Sequence, residues 1–408
     1  MKNTHKNTPG KRTITINADI SARLQGFDSA KRATRAHHRL MKHYSSVLLF
    51  GPPPGEALLE LMVHMFTENE ADVAQHLAPL LPLTAKQAAR RCGRSAGETA
   101  DLLDNLAQNK RVILWLGDPR RYTILPLVPG TFEMAIITPD LARTNAWHKR
   151  FSELFEQVWD SEYIRGYIGR APAPVRYIPS QGNASRLQTA WPAERIEELL
   201  EPYDVFGIAH CQCRVVTDLA GRGCGKPTEN CVAIGPLAEP LIARGFMRPA
   251  DRREVIEAKR LAEENGCVTW MMNGRSSREG NYSCSCCGCC CHALRTITQF
   301  SAPGLFAPPR FAPRLDVSLC NQCGQCVRAC PMHAWTPAPG APHHDPRRCI
   351  GCGLCVTACK LNALDLNVAP QAREPEQNFG TLLLKMFPSY AAITFKAWLR
   401  RAAGNQRP

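Results

Sequence analysis

The chain has 408 residues, 44% of them hydrophobic, with twenty cysteines and a formal net charge of +14; that length supports two or three cored domains and excludes a small secreted disulfide scaffold. Its polar, basic opening MKNTHKNTPGKRT and the lack of any window of roughly eighteen continuous apolar residues predict a cytoplasmic protein that does not span a membrane, with cysteines kept reduced for use as ligands. The positive charge alone fits nucleic acid, an anionic lipid surface or an acidic protein partner.

Residues 1–50 carry ten Lys/Arg, including Lys31, Arg32, Arg35, Arg39 and Lys42, against only Asp19 and Asp28, and read as a solvated basic arm. From residue 51 the pattern turns helical. EALLELMVHMF, from Glu56, has apolar residues at helical spacing, and Thr67–Glu70 forms a capping box for a second helix. A short helix from Thr84, a turn at Gly93 and a helix entered through Ser95 and Glu98 follow, then two strand-like runs, RVILWL and RYTILPL. Residues 51–135 therefore resemble a winged-helix domain. In a DNA reader the second helix of such a pair lies in the major groove. Here it carries Glu98, Asp101 and Asp104, which phosphates repel, with only Lys110 and Arg111 at its far end to help. A structural or protein-docking role is favoured over nucleic acid.

Residues 136–200 read as a helical linker region (HKRFSELFEQVW and PAERIEELLEPYD) interrupted by the proline-bearing IGRAPAPVRYIPSQGNAS. Residues 201–309 read as a cysteine-rich mixed α/β domain, with strands VFGIAH and CVTWMM and the helix DRREVIEAKRLAEENG. Its candidate metal ligands are Cys211, Cys213, Cys224, Cys231, Cys284, Cys286, Cys287, Cys289, Cys290 and Cys291. Adjacent cysteines rarely reach disulfide geometry, and neighbouring thiols point different ways, so CSCC and CCC suit two centres at once. Ten thiols suffice for two four-thiolate clusters with two left over, or for one unusual cluster; zinc sites or a loose metal store are the alternatives. Cys267, in an apolar strand, reads as a small buried hydrophobe and Cys92 as structural; His210 and His292 flank the motifs as potential replacements for a thiolate.

Residues 310–368 repeat with a period of twenty-nine: LCNQCGQCVRACP against RCIGCGLCVTACK, each C-x2-C-x2-C-x3-C. This resembles a bacterial-type ferredoxin with two [4Fe–4S] clusters. The resemblance implies that Cys320, Cys323, Cys326 and Cys359 hold one cluster, and Cys349, Cys352, Cys355 and Cys330 the other, the fourth cysteine of each run crossing over. With all eight ligands inside it, the segment is expected to be separable. Lys360 stands where the first repeat has Pro331. Over roughly residues 55–365 the chain is similar to the long cytoplasmic 4Fe–4S dicluster proteins, in which a winged-helix region, a cysteine-rich region and a ferredoxin follow in this order; Ser285 departs from the asparagine expected there.

The tail, residues 369–408, interleaves Leu382, Leu383, Leu384, Phe387, Ile393, Phe395, Trp398 and Leu399 with Lys385, Lys396, Arg400 and Arg401. Docking onto the protein's own core or a partner is favoured over peripheral contact with the inner membrane face. No nucleotide loop, HExxH or GxSxG occurs. The expectation is an α+β multidomain electron carrier or accessory subunit rather than an enzyme, serving redox protein partners, acidic ones in particular. Besides the two ferredoxin clusters it would hold one or two more in the middle domain. The alternatives are a redox-sensing transcription regulator acting through the winged helix, and an enzyme using an open iron site.

Overall fold

The computed structural model describes residues 33–49, 51–79, 81–161, 163–164, 175–180, 195–273, 280–302, 307–369, 376 and scattered positions from 381 to 399. Most of the basic arm and most of the tail lie outside the described residues. The arm gives way to structure earlier than its charge suggests. Helix α1 (Arg35–Tyr44) buries Ala36, Leu40, Met41 and Tyr44 and turns its charged residues outward, because the four apolar positions share one helical face.

Helices α2 (Glu56–Met65) and α3 (Glu68–Ala74) follow, the second started by the Thr67–Glu70 capping box. Strand β1 (Leu83–Thr84) leads into α4 (Ala85–Cys92), which ends on left-handed Gly93, and α5 (Ala96–Asp104) starts on Ser95. Strands β2 (Leu114–Leu116) and β3 (Arg121–Thr123) pair, and β1 joins them in the order β1-β3-β2. Two residues long, β1 carries too little pattern to be read from sequence. Helices α6 (Phe132–Ile136) and α7 (Ala146–Asp160) close the first core, around Leu40, Tyr44, Leu61, Phe66, Leu103, Phe132, Phe155 and Trp159.

The segment read as a linker contributes β4 (Val175–Tyr177), and α8 (Ile196–Leu200) follows it. Then come β5 (Phe206–His210), α9 (Gln212–Leu219), β6 (Glu229–Ile234), α10 (Ala238–Ala243), β7 (Arg248–Ala250), α11 (Arg252–Glu264), β8 (Val268–Met272), β9 (Asn281–Cys286) and α12 (His292–Thr298). The strands form one antiparallel six-stranded sheet, ordered β4-β8-β9-β6-β5-β7. Its edge strand β4 was masked in the sequence by flanking prolines. Alternation along the strands splits the two faces. Phe206, Ile208, Val232, Ile234 and Met271 pack with Val255 of α11, while Ala209, Cys231, Ala233, Tyr282 and Cys284 gather on another core with Ile137 and Phe246.

The C-terminal unit pairs β10 (Phe311–Leu315) with β13 (Leu364–Val368). Between them lie α13 (Gln325–Ala329), the short ladder of β11 (Trp335–Thr336) and β12 (His343–His344), and α14 (Leu354–Thr357). Its packing is not self-contained: Met332, Ile350 and Leu354 share a core with Val268, Leu294 and Ile297 of the sheet domain, and Ser180 N–H donates to Cys352 O at 2.8 Å. An isolated 310–368 segment would expose that face.

The first unit is likewise bound to the second. Val215 and Val216 of α9 belong to the first core. Arg111 lies over the Phe246 ring at 4.5 Å, and Arg244 over the Trp115 ring at 4.2 Å.

Candidate metal centres

In the C-terminal repeats, Gly324 and Gly353 take left-handed φ of 69° and 77° just before α13 and α14. The chain thereby reverses between the second and third cysteines of each run, placing Cys326 and Cys355 in the first helical turn, at a conformation that favours glycine. Cys330, Cys349, Cys352 and Cys355 line one cavity together with Pro313, Met332, Trp335 and Ile350. The cavity encloses about 320 Å³, part of it open to solvent. Four thiols thus converge on one space from two separate runs of the chain. Cys330 leaves its own run and joins the second, while Cys326 faces Cys320 and Cys323; Cys326 and Cys359 share an apolar cluster with Cys330 and Cys355, where the two sets meet. Burial pushes three of the cavity's thiols up, Cys349 to about 11, Cys355 to about 12 and Cys352 well above the usual thiol range.

Residues 319–374 match the 4Fe-4S dicluster domain family. No curated protein and no solved structure matches the chain. That stretch is thus similar to an iron–sulfur domain, and the residues present fit the group it implies: eight soft donors, four of them lining one space. When bound, such clusters accept and release single electrons.

All twenty cysteines of the chain are free thiols, and the middle ten are sorted by local geometry. Cys284 and Cys286 stand two apart on β9 and so point to the same side. Cys211 caps α9, with Cys213 in its first turn, and Cys291 caps α12; helix N-termini favour thiolates. These five, with Cys231 of β6, form a run of thiol contacts, Cys231, Cys284, Cys286, Cys291, Cys213, Cys211, whose two ends interact through charge alone and so make it a ring. Around it Cys284, Cys291 and Cys211 are pulled below the usual thiol range, while Cys231, Cys286 and Cys213 are pushed above it. The cause at each is hydrogen bonding to the neighbouring sulfur, preceded at Cys286 by burial. Trp270 Nε1–H donates to Cys286 Sγ at 3.0 Å and the Gln212 amide to Cys231 Sγ at 3.5 Å. The turn after β9 sends Cys287, Cys289 and Cys290 the other way, to meet Cys224.

Between the two groups sits Arg214, 2% exposed. Its guanidinium donates to Asn230 Oδ1 at 2.5 Å, Ser285 O at 3.0 Å, Cys267 Sγ at 3.5 Å and Cys287 Sγ at 3.9 Å. Lys259, 1% exposed, donates to Asn230 O at 3.2 Å and faces Cys284, Cys231 and Cys286. Burial lowers its pKa to about 8. At Arg214 burial also lowers the pKa, but Cys211, Cys267, Cys287 and Cys286 more than reverse it. No carboxylate among the described residues pairs with either cation. An unpaired buried charge costs several kcal/mol, so the sulfurs must supply the negative charge, as thiolates bound to metal do. Sequence reading assigned neither cation a role. Lys259 was legible as a lysine on the buried face of α11, between Val255 and Ala262.

The two flanking histidines and the two cysteines read as structural are placed as follows. His292 does not turn to the thiols: its Nε2 meets Glu156 Oε1 at 2.6 Å inside a box of Phe132, Phe155 and Trp159. Glu156 also takes Arg295 at 2.8 Å, so this buried network ties α7 to α12. His210 Nδ1 pairs with Thr228 Oγ1 at 2.7 Å. Cys92 donates to Ala89 O at 3.6 Å. Cys267 is fully buried, as expected, but beside the second thiol group rather than in purely apolar surroundings.

Most residues weighed for DNA contact, Asp101 apart, are also committed within the protein. Lys110 pairs with Glu70 at 2.5 Å, Glu98 with Arg94 at 2.7 Å, and Asp104 accepts from Arg120 at 2.7 Å and Tyr122 at 2.8 Å. Among the described residues no helix is long and apolar enough to cross a membrane. In the tail Leu382 is buried, whereas Leu384, Phe395 and Leu399 are exposed.

Proposed function

We propose that the protein is a ferredoxin-type electron carrier that passes single electrons through two [4Fe–4S] clusters and onward to an iron–sulfur group held by the thiol ring of the middle domain. The observation that carries this reading is the position of the cavity lined by Cys330, Cys349, Cys352 and Cys355. It adjoins the ring through one apolar core, in which Met332, Ile350 and Leu354 pack with Cys286, Cys291 and Val268. Dry, close packing between two redox groups is what a wire requires.

The other set, Cys320, Cys323, Cys326 and Cys359, lies on the solvent side. Cys323 is exposed, Leu319 and Leu361 are exposed large apolar residues next to Cys320 and near Cys359, and Arg328 and Lys360 are exposed as well. That face suits an acidic redox protein, steered by charge and weakened by salt. The order helix α3, β1, α4, α5 and the β2–β3 hairpin supports a winged-helix reading of the first unit. Its contacts through Arg111 and Trp115 support a protein-facing role, in a reducing cytoplasm.

The test is the full chain purified without oxygen and reduced stepwise. The expected result is low-potential paramagnetic signals from two clusters, with Cys330→Ser damaging the one held by Cys349, Cys352 and Cys355. Damage to the other cluster, or a protein holding zinc and lacking visible absorption, overturns the reading.

A further inference from the structure

The four sulfurs of Cys224, Cys287, Cys289 and Cys290 all lie within 4.8 Å of one another, with Cys224 and Cys287 at 3.9 Å and Cys289 and Cys290 at 3.7 Å. A single ion at ~2.3 Å from each of four tetrahedral sulfurs sets the sulfur–sulfur edge at about 3.8 Å. Both short edges match that length. A cubane behaves otherwise, because it interposes four irons, one behind each cysteine sulfur, and spreads the ligands beyond what one ion allows. We propose that these four cysteines bind one thiophilic metal ion in a closed tetrahedral site, structural in role and distinct in kind from the iron–sulfur group of the ring. Zinc and mononuclear iron share this chemistry, since four thiolates in tetrahedral array serve both.

The surroundings fit an ion that pins the fold. Cys224 comes from the loop after α9 and the other three from the turn between β9 and α12, so one ion closes a loop of 63 residues. The same turn delivers Cys286 and Cys291 to the ring, and Gly288 within it abuts the Pro331 backbone of the dicluster domain. Holding it therefore positions both the ring and the domain contact. Four thiolates around a divalent ion carry a net negative charge, which Arg214 meets at Cys287. Cys267 packs beside the site but falls outside the group of four, and a four-coordinate ion has no place for it.

The occupancy of this pocket is independent of electron transfer and is tested separately. Full-length protein purified anaerobically is analysed for zinc and iron per chain, and X-ray absorption is recorded at the metal edge. One zinc with about four sulfurs at ~2.3 Å and no neighbouring metal is expected; one iron with a mononuclear spectrum upholds the proposal equally. The double variant Cys289→Ser/Cys290→Ser should lose that one ion and keep the cluster iron and visible absorption, whereas Cys213→Ser/Cys286→Ser should lose cluster iron and keep the ion. Loss of about four irons in the first variant overturns the proposal. If that variant fails to fold, the absorption spectrum of the unmodified protein decides alone: a metal–metal distance in every metal population refutes the single ion.

Discussion

Gly288→Ala adds one methyl group at the contact between the dicluster domain and the middle domain and removes no thiol. A Cβ there would stand 2.9 Å from the carbonyl carbon of Pro331, and nearer still to its oxygen. Ordinary contact begins at 3.4 Å, so the carbonyl carbon alone, short by 0.5 Å (3.4 less 2.9), forces the two backbones apart, and the nearer oxygen demands a larger shift. The obstacle is main chain, which cannot rotate aside, and the glycine lies outside the left-handed region, so conformational strain is not the cause. Overpacking of this kind costs about 1–3 kcal/mol, and a rigid obstacle puts it near the upper end, a fall in Tm on the order of 5 °C. The assay is anaerobic melting followed by cluster absorption, with iron content measured beside it. Electron exchange between the dicluster domain and the ring should slow as well. Gly97→Ala, at an exposed position of α5 with nothing within 4 Å, is the control and should hold or raise stability. A Gly288→Ala protein that melts with the native one, with unchanged iron and electron exchange, refutes the docking argument.

Arg214→Met should lower the reduction potential of the cluster proposed for the ring, because a buried positive charge that favours the added electron is lost. A loss of roughly 2 kcal/mol, half the ~4 kcal/mol of close charges at an effective dielectric of ~20, corresponds to about 90 mV for one electron, and an unchanged potential in a redox titration contradicts it. Glu70→Gln should flatten the acid limb of stability. Burial alone would raise the Glu70 pKa, but Lys110 and the Thr67 N–H hold it below the usual carboxylate range. Its contribution is thus complete above about pH 4.3 and disappears as pH falls through the lowered folded value; melting temperatures from pH 3 to 7 for both proteins check this. Glu98→Gln with Asp101→Asn should raise non-specific DNA affinity from a low base, Asp104 being left intact because it holds Arg120 and Tyr122. Tight binding of one operator by the native protein at physiological salt counts against that reading.

What the sequence disclosed follows the range of the interactions concerned. The Thr67 and Thr84 caps and the Gly93 stop are settled within a few residues, and each appears where the local chemistry put it. The repeated cysteine runs were legible for the same reason, since a cluster is wrapped by a short span of chain. Strands β1 and β4 were not, because two or three residues carry no period and their existence depends on the partners β3 and β8. His292 shows the limit at a site: its neighbour Cys291 suggested a ligand, but the deciding partner, Glu156, lies 136 residues away.

The crowding of cysteines in CSCCGCCC likewise has a local and a distant part. The alternation of β9 explains why Cys284 and Cys286 act together, and the end of that strand explains why Cys287 turns away; both follow from backbone geometry alone. Which distant thiols meet each group depends on the sheet order that sets β6 beside β9 and on the loop that brings Cys224 across. The buried Arg214 between the groups makes the division electrostatic as well as geometric. Arg214 touches Cys287 of the single-ion group and faces Cys211 and Cys286 of the ring. A change of charge on the ring would therefore be felt first by a guanidinium already hydrogen-bonded to Cys287, and the single ion proposed there would keep that guanidinium in place while the ring changes charge.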